Sequence, residues 1–366
     1  MIKRRKTRQV RVGDVKVGGT APISIQSMAK TDTRDVSKTI KQIKRLEKLG
    51  CEIIRVAVLD SEAARAIKKI KKKINIPLIA DIHFHYNLAI EAIISGADKI
   101  RLNPGNVKNK EDIAQVVKLA KKRRIPIRIG VNSGSLPIVS PRSPLANAMT
   151  KAAVDYIKIF ESLGFNDIII SLKASDVTAT LEAYREMARL CDYPFHLGVT
   201  AAGPSEHGIV KSSIGIGTLL AEGIGDTIRV SLTEKPEEEI KIAKGILSSL
   251  GLRKFGVDIV SCPTCGRCKV NLARIVKEFE KKLQSENYCR RLTSVAERGA
   301  RGNSQLFTEP LKVAIMGCVV NGPGEAKDAD IGIAAGKKNG ILFKNGRIVR
   351  KVKEADFVKV LLDEMD

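Results

Sequence analysis

The chain up to Leu250 alternates short β-rich segments with longer amphipathic helical patterns, and this alternation constrains the fold more than any other feature. Short runs rich in Ile and Val indicate strands, and apolar residues three and four positions apart indicate helices. Eight strand–helix pairs are the number that closes a (β/α)8 barrel, and no Gly-x-Gly-x-x-Gly follows the first strand. The sequence therefore predicts an α/β fold with a TIM barrel over residues 1–253, whose strands are Ile23–Met28, Glu52–Val58, Pro77–Ile82, Lys99–Asn103, Pro126–Val131, Asp167–Leu172, Phe195–Thr200 and Thr227–Leu232.

Polar side chains lie near the carboxyl end of each predicted strand, and these ends meet at one mouth of a TIM barrel. Five of the strands bring a cation to that mouth, where the charges repel one another unless an anion lies between them. Arginine binds phosphate oxygens in a bidentate manner, which favours a phosphate or diphosphate ligand. The nearby acids are Asp81 and Asp226. The polar positions are Gln26, Arg55, Asp81 with His83, Arg101 with Asn103, Arg128 with Asn132, Ser171 with Lys173, His196 with Thr200, and Arg229 with Ser231.

Residues 254–366 predict a smaller α+β domain that carries two cysteine loops. Cys262 and Cys265 form a Cys-x2-Cys turn, which directs two thiolates to the same side of a metal, and Cys318 opens a Gly- and Pro-containing loop that ends at Glu325. Cys268 extends the spacing to the Cys-x2-Cys-x2-Cys of ferredoxins, which favours an iron–sulfur centre and leaves zinc as the alternative. The polar segment 285–309 has the character of an inserted loop.

Composition narrows the class of protein. The net charge of +24 suggests nucleic acid, but aromatic residues are only 4% and Trp is absent, so platforms for base stacking are scarce. No apolar run has the length of a membrane span, and the basic start lacks the apolar segment of a secretion signal. Seven cysteines, most of them late in the chain, favour thiolate ligation over a disulfide framework. We therefore expect a cytoplasmic protein that binds neither nucleic acid nor membrane.

Taken together, the motifs resemble those of the 4-hydroxy-3-methylbut-2-en-1-yl diphosphate synthase family, the bacterial iron–sulfur enzymes of non-mevalonate isoprenoid synthesis. The resemblance covers nearly the whole chain. It implies reductive ring opening and dehydration of 2-C-methyl-D-erythritol 2,4-cyclodiphosphate, a flavodoxin or ferredoxin electron donor, and a homodimer in which each cluster domain caps the partner's barrel. The matching blocks are Ile23–Met28, Ala80–Phe84, Arg101–Asn106, Arg128–Gly134, Lys173–Asp176, Gly223–Ser231, Ser261–Arg267 and Met316–Ala326.

The same resemblance implies roles for individual residues. A [4Fe-4S] cluster is expected on Cys262, Cys265, Cys318 and Glu325, with Glu325 as the exchangeable ligand, and Asp81 is a second catalytic candidate. One departure is Ala201, where the family commonly has Glu, and Glu206 is a possible substitute. The residues expected to bind substrate are Arg55, His83, Arg101, Asn103, Arg128, Asn132, Lys173, His196, Arg229 and Ser231.

Two other functions remain open. A phosphate-binding barrel enzyme of the aldolase or pterin-synthase type would use the cysteines as a structural zinc knuckle and would need no electron donor. A zinc-ribbon RNA-binding protein would use the positive charge and show strongly salt-dependent affinity for RNA.

Overall fold

The computed structural model describes residues 2–83, 85–107, 109–136, 144–283, 311–320, 322–325 and 327–365; for Ser205 and Glu325 it describes only the backbone. The chain divides into two compact units, Met1–Arg253 and Lys254–Asp366. The proposed insertion at 285–309 lies outside the described residues. None of the helices in the described ranges is long and apolar enough to cross a bilayer.

The first unit is a TIM barrel, as the sequence predicts. Eight parallel strands form one sheet in which the last strand pairs with the first. A bridge between Ile170 and Phe195 links the sixth strand to the segment that enters the seventh. The ring of strands therefore closes on itself. The strands are β3 (Ser24–Met28), β4 (Ile53–Val58), β5 (Leu78–Ile82), β6 (Lys99–Leu102), β7 (Ile127–Asn132), β8 (Ile168–Lys173), β9 (His196–Leu197) and β10 (Thr227–Ile228).

Strands β9 and β10 are shorter than the sequence predicts. Regular pairing ends at Leu197 and Ile228, and just beyond it Gly198 lies against the backbone of Arg229. A Cβ on Gly198 would be 2.5 Å from the carbonyl oxygen of Arg229, so only glycine permits this approach. The two chains converge here without continuing the regular ladder, and the segments after them reach the barrel mouth as irregular backbone.

Eight helices cover the outside of the barrel, and each follows one of the eight strands. Aspartate or asparagine side chains cap several of them, as at Asp60, whose carboxylate accepts a bond from the Ala63 amide at 2.8 Å. Each helix turns an apolar stripe towards the sheet, as α1 does with Ile43 and Leu46. The helices are α1 (Val36–Lys48), α2 (Ser61–Lys71), α3 (Tyr86–Ile94), α4 (Lys110–Arg123), α5 (Leu145–Ser162), α6 (Val177–Leu190), α7 (Ser205–Ala221) and α8 (Pro236–Ser249).

An amino-terminal hairpin, absent from the sequence prediction, closes the far end of the barrel. Its strands β1 (Val10–Val12) and β2 (Val15–Val17) pair antiparallel around a turn at Gly13, whose φ of 55° suits glycine. Val10, Val12 and Val17 pack against apolar side chains at the amino ends of barrel strands, namely Ile53, Ile79 and Ile169. The opposite end, formed by the carboxyl ends of the strands, remains as the mouth.

The second unit is the predicted α+β arrangement. A five-stranded mixed sheet in the order β11-β12-β13-β14-β15 packs against α9 (Leu272–Leu283) and the closing helix Phe357–Asp363. Phe279 and Phe357 are fully or almost fully buried between helix and sheet. A further short helix, Gly322–Glu325, follows β12. The strands are β11 (Val257–Ser261), β12 (Leu311–Met316), β13 (Ile331–Ala335), β14 (Asn339–Lys344) and β15 (Arg347–Lys353).

Candidate functional site: a cationic barrel mouth and a cysteine-lined cavity

Neighbouring barrel strands present charged side chains at the same level of the interior. Asp81 on β5 is in register with Arg101 on β6, and Arg101 is in register with Arg128 on β7. Alternate residues of a strand face opposite sides, so the isoleucines between these charged residues point towards the helices. Arg101 and Arg128 are almost fully buried. The inward positions of adjacent strands thus assemble one cluster of charge.

Asp81 links several members of this cluster. Its carboxylate lies 3.2 Å from Nη1 of Arg101, 3.6 Å from Nε of Arg55 and 3.6 Å from Nε2 of His83. Burial alone would raise the pKa of Asp81, but Arg55, the bond with His83, Arg101 and Arg128 together lower it well below its usual range. Asp81 is therefore an ionised carboxylate at neutral pH, suited to orienting two arginines.

The other cations exceed the carboxylates available to them. In the described residues Arg128 Nε and Nη1 have no hydrogen-bond partner, although the side chain is buried. Burial, reinforced by Arg55 and Arg101 and only partly offset by Asp81, holds the pKa of Arg128 well below its ordinary value. Lys173 shows the same direction, because burial and then Arg128 and Arg55 lower its pKa. Burial, opposed by Asp81 and reinforced by Arg229, lowers the pKa of Arg55 to about 10.

Two participants were missed by the sequence analysis. Lys99 lies two residues before Arg101 on β6. It is fully buried, and its Nζ lacks a hydrogen-bond partner among the described residues. Glu239 on α8 supplies the counter-charge of Arg229, with Oε1 at 3.3 Å from Nη2. Lys99 could have been found from the period-two pattern of β6, whereas nothing in the local sequence of α8 marks Glu239.

The expectation that Asp226 lies near the mouth is wrong. Asp226 precedes β10 and therefore lies at the amino end of the strands, away from the mouth. Its carboxylate accepts a bond from the Phe195 amide at 2.8 Å and pairs with Arg4 at 3.1 Å. Asp226 thus anchors the amino-terminal segment and does not neutralise the clustered arginines.

Two glycines make room for the cations. A Cβ on Gly130 would be 2.6 Å from Nε of Arg101, and one on Gly198 would be 2.6 Å from Nζ of Lys173. Real Cβ atoms essentially never approach other atoms so closely. Strand β7 therefore has a glycine where the side chain of Arg101 passes it, and the segment after β9 has one where the side chain of Lys173 passes it.

The remaining predicted substrate residues occupy different depths. Asn103 is buried, and its amide oxygen accepts bonds from the Gly105 amide at 3.1 Å and Ser135 Oγ at 3.2 Å, so this oxygen braces two mouth loops. Asn132 and Ser231 are half-buried at the ends of their segments. His196 is fully buried. Burial and then Lys173 and Arg128 lower its pKa far below the ordinary value, so its imidazole is neutral.

The region that departs from the family motif is exposed. Ala201 has a φ of 49°, an unusual conformation for a residue with a Cβ, and its side chain is exposed. Glu206, the possible substitute for the missing acid, is also exposed, in the first turn of α7. No described contact brings Glu206 to the charged cluster.

In the second unit, three cysteines border one cavity at the carboxyl ends of β11 and β12. The cavity measures about 140 Å³, and Cys262, Cys265 and Cys318 line it together with Pro263, Thr264, Arg267, Met316 and Gly322. Thr264 has a φ of 66°, which gives the Cys-x2-Cys segment a tight turn. The Gly317 amide donates a bond to Cys262 Sγ at 3.3 Å. The described residues hold no group of three or more His, Cys, Asp and Glu poised for a single metal ion.

Cys268 faces elsewhere. It does not line the cavity but packs against the hydrophobic core of the unit, where its thiol donates to the Val270 carbonyl at 3.2 Å. A Cβ on Gly317 would lie 2.6 Å from Cys268 Sγ, so glycine is needed between this thiol and the cavity loops. The backbone of Glu325 ends the short helix that begins at cavity-lining Gly322; its side chain is not among the described parts. Three thiols around one cavity fit an iron–sulfur centre, because each cysteine of such a centre binds a different iron and the three need not converge on one ion.

Comparison with known proteins matches both units to one family. The model of the GcpE TIM-barrel domain covers residues 7–244, and that of the GcpE protein C-terminal domain covers residues 258–366. A relative from Thermodesulfovibrio yellowstonii, named 4-hydroxy-3-methylbut-2-en-1-yl diphosphate synthase (flavodoxin), is 53% identical over 100% of this chain and 99% of its own. A relative of the same name from Clostridium perfringens is 52% identical over 99% of this chain and 98% of its own.

Two solved structures of dihydropteroate synthases each match about two thirds of this chain. A dihydropteroate synthase from Xanthomonas albilineans superposes with a TM-score of 0.50 at 13% identity and covers 67% of this chain and 98% of that one. The enzyme from Stenotrophomonas maltophilia gives the same TM-score at 12% identity, over 66% of this chain and 98% of its own. At these identities the likeness shows the fold and carries no information on activity.

Proposed function

The chain belongs to the GcpE family, and from that premise we propose that it catalyses the reductive ring opening and dehydration of 2-C-methyl-D-erythritol 2,4-cyclodiphosphate to 4-hydroxy-3-methylbut-2-enyl diphosphate. It is an iron–sulfur oxidoreductase that takes its electrons from flavodoxin, the donor printed in the names of its relatives; ferredoxin is the alternative donor. The observation that carries the proposal is the excess of buried cations at a mouth built to receive a small dianion.

The proposed substrate clamp follows from the balance of charge. Arg55, Arg101, Arg128, Lys173 and Arg229 face only two carboxylates, Asp81 and Glu239, among the described residues. Buried cations without counter-ions destabilise a fold, so an anion that binds between them is favoured strongly. A cyclic diphosphate brings two negative charges and several acceptor oxygens for the unsatisfied N–H groups of Arg128 and Arg229. Asn132 and Ser231 complete the proposed clamp as neutral donors.

Asp81, His83 and His196 have supporting roles in this proposal. Asp81 remains ionised, so it orients Arg55 and Arg101 towards the diphosphate and is not a proton donor at neutral pH. His196 is neutral and lies below the clamp, where it presents polar atoms without adding charge. His83 is partly exposed beside Asp81, in a position to contact the substrate from the rim.

Three thiolates and one carboxylate would hold the cofactor, a [4Fe-4S] cluster, in this proposal. Cys262, Cys265 and Cys318 border the cavity, and Glu325 is the fourth ligand predicted from the family motif. When bound, the cluster supplies electrons singly and offers one iron whose carboxylate ligand exchanges readily. The Gly317 amide stabilises the Cys262 thiolate, and Cys268 serves the core of the unit.

Assembly and location complete the proposal. The protein is a homodimer in which the cluster unit of one chain works with the barrel unit of the other. The net charge of +24 supports association with an acidic electron carrier. Thiolate ligation of iron needs a reducing compartment, which supports the cytoplasm.

Iron and acid-labile sulfide content of anaerobically purified protein tests the cofactor. We expect the wild type and Cys268→Ser to hold iron and sulfide in equal amounts, because Cys268 does not border the cavity. Cys262→Ser should lose most of both. Loss of iron in Cys268→Ser with retention in Cys318→Ser would overturn the ligand set.

Turnover of the cyclic diphosphate separates the proposal from its rival. The wild type should form product only with a reduced electron carrier, and Arg128→Met should bind substrate at least tenfold more weakly, since a charge-assisted bond contributes about 1.5–3 kcal/mol. A colourless protein that contains zinc and turns over a phosphate ester without any electron donor would instead identify the phosphate-binding barrel enzyme.

A further inference from the structure

We propose that Glu239 has a function beyond helix packing. Together with Lys30 it is a positioning residue that fixes Arg229 and Ser231, the two proposed diphosphate ligands that follow β10. The inference rests on the proposed function, because it concerns the same clamp. Glu239 lies on α8, outside the barrel wall, and is only 1% exposed. Its carboxylate reaches Nη2 of Arg229 from the helix layer of the barrel.

Three hydrogen-bond donors and one more distant ammonium group surround the two oxygens of Glu239. Ser27 Oγ donates to Oε2 at 3.1 Å, and the Leu232 amide donates to Oε1 at 3.2 Å. Nη2 of Arg229 lies 3.3 Å from Oε1 and 3.5 Å from Oε2, and Nζ of Lys30 lies 3.9 Å from Oε1. This carboxylate therefore joins β3, the loop after β3 and the segment after β10 to one helix.

Lys30 holds the same segment from its other side. Its ammonium donates to the Leu232 carbonyl at 2.8 Å and also to the Glu234 carbonyl. The Leu232 amide and carbonyl are thus bound to Glu239 and Lys30, respectively, on either side of one residue. Ser231 directly precedes Leu232, and Arg229 lies three positions before Leu232. The pair therefore fixes the backbone that carries one ligand and the guanidinium of the other.

The physical reason for such a pair is preorganisation. A diphosphate gains affinity from donors that are already oriented, since ordering a long side chain on binding costs conformational entropy. Arg229 Nε has no hydrogen-bond partner among the described residues, whereas its Nη2 is taken by Glu239. Glu239 therefore holds the guanidinium through Nη2 and limits the rotation of this side chain before a ligand arrives.

Glu239→Gln is the informative substitution, because it preserves shape and removes one oxygen and the charge. Glutamine offers a single acceptor oxygen to three hydrogen-bond donors and places an amide N–H against Arg229 or Lys30. We expect inorganic pyrophosphate to bind about tenfold more weakly to this variant of the holoenzyme by calorimetry, with a similar rise in KM and a smaller change in kcat.

Asp226→Asn is the matched control. Asp226 is also a buried carboxylate that pairs with an arginine and accepts a backbone amide, but it lies at the opposite end of the barrel. Both variants should unfold at a lower temperature than the wild type. Only Glu239→Gln should lose affinity for pyrophosphate, so a loss that accompanies both variants equally would mean a merely structural role and overturn the proposal.

A double variant tests the route of the effect. If Glu239 acts through Arg229, then Glu239→Gln should weaken binding little further in the background of Arg229→Met. Independent, multiplying losses would contradict that route.

Should Glu239→Gln fail to fold, Lys30→Met tests the proposal instead. An affinity for pyrophosphate equal to that of the wild type would then overturn it. A wild type that binds no pyrophosphate would instead refute the proposed function itself.

Discussion

Lys99 shows how far the barrel interior departs from ordinary packing. Its side chain is fully buried, no hydrogen bond reaches its Nζ within the described residues, and the charged groups that act on it most strongly are Arg128 and Arg55. A buried ammonium group without a carboxylate partner destabilises the folded state, and the protein reduces this penalty by releasing the proton. Burial first, then the two arginines, lower the pKa of Lys99 well below its ordinary value.

Lys99→Met should therefore stabilise the protein in the absence of ligand. Methionine fills much the same volume without a polar atom, and replacement of buried charges by apolar side chains often stabilises by about 1–4 kcal/mol. Denaturant unfolding of both proteins at pH 7 measures the difference. A variant less stable than the wild type would show that the amine has a partner which compensates its burial.

The pH dependence of that difference has a definite sign. The pKa of Lys99 is lower in the folded than in the unfolded protein, so between the two values the unfolded chain binds more protons, and stability rises with pH. The advantage of Lys99→Met should therefore shrink as pH rises from neutral towards 10.5, the ordinary pKa of a lysine side chain. Unfolding titrations of the pair between pH 7 and 10 measure it, and an advantage that grows with pH would contradict the assignment.

At the scale of elements, the hairpin β1–β2 covers the end of the barrel formed by the amino ends of the strands. Three of its four valines, Val10, Val12 and Val17, cover apolar residues of β4, β5 and β8 at the amino ends of those strands. Within the described residues no such apolar layer covers the cationic cluster at the other end. The barrel therefore has one end that contributes hydrophobic stabilisation and one end that is left for a ligand, which is the usual division of stability and function in this fold.

Val12→Asp should unfold the protein at a markedly lower temperature. Val12 is fully buried in this cluster, and its replacement places a carboxylate among apolar side chains, with a penalty of about 3 kcal/mol or more. Lys16→Asp is the control, because Lys16 is exposed on β2 of the same hairpin. Thermal unfolding compares the two, and equal losses would mean that charge alone, not burial, destabilises the hairpin.

Most elements could be predicted because each is encoded locally. Buried strands such as Ile53–Val58 are apolar except for one charged residue, Arg55, and the cysteine loops follow segments that are also rich in Val and Ile. The hairpin could have been found from the alternating valines around Gly13-Asp14, but its strands have only three residues each. Glu239 could not be found, since its meeting with Ser27 and Lys30 arises only when the barrel closes and β10 returns to β3.

At the scale of the whole molecule, the two proposed halves of the reaction lie in separate compact units. The cationic cluster belongs to Met1–Arg253 and the cysteine cavity to Lys254–Asp366. Reduction of a bound diphosphate requires the two to meet in one site. The proposed homodimer meets that requirement through different chains, so each site would combine the barrel unit of one protomer with the cluster unit of its partner.

Mixing two inactive variants tests this arrangement. Arg128→Met weakens substrate binding in the barrel unit and Cys318→Ser impairs the cluster unit, so each homodimer should keep a tenth or less of the wild-type activity when substrate is well below KM. In a randomly assorted mixture half of the dimers are mixed, and each mixed dimer contains one site with both units intact; activity should therefore reach about a quarter of the wild-type value. If each site were built from a single chain, every chain would still carry one defect and the mixture would remain inactive. Wild type mixed with Arg128→Met in equal amounts should give about half the activity in either case, which controls for loss of protein during exchange.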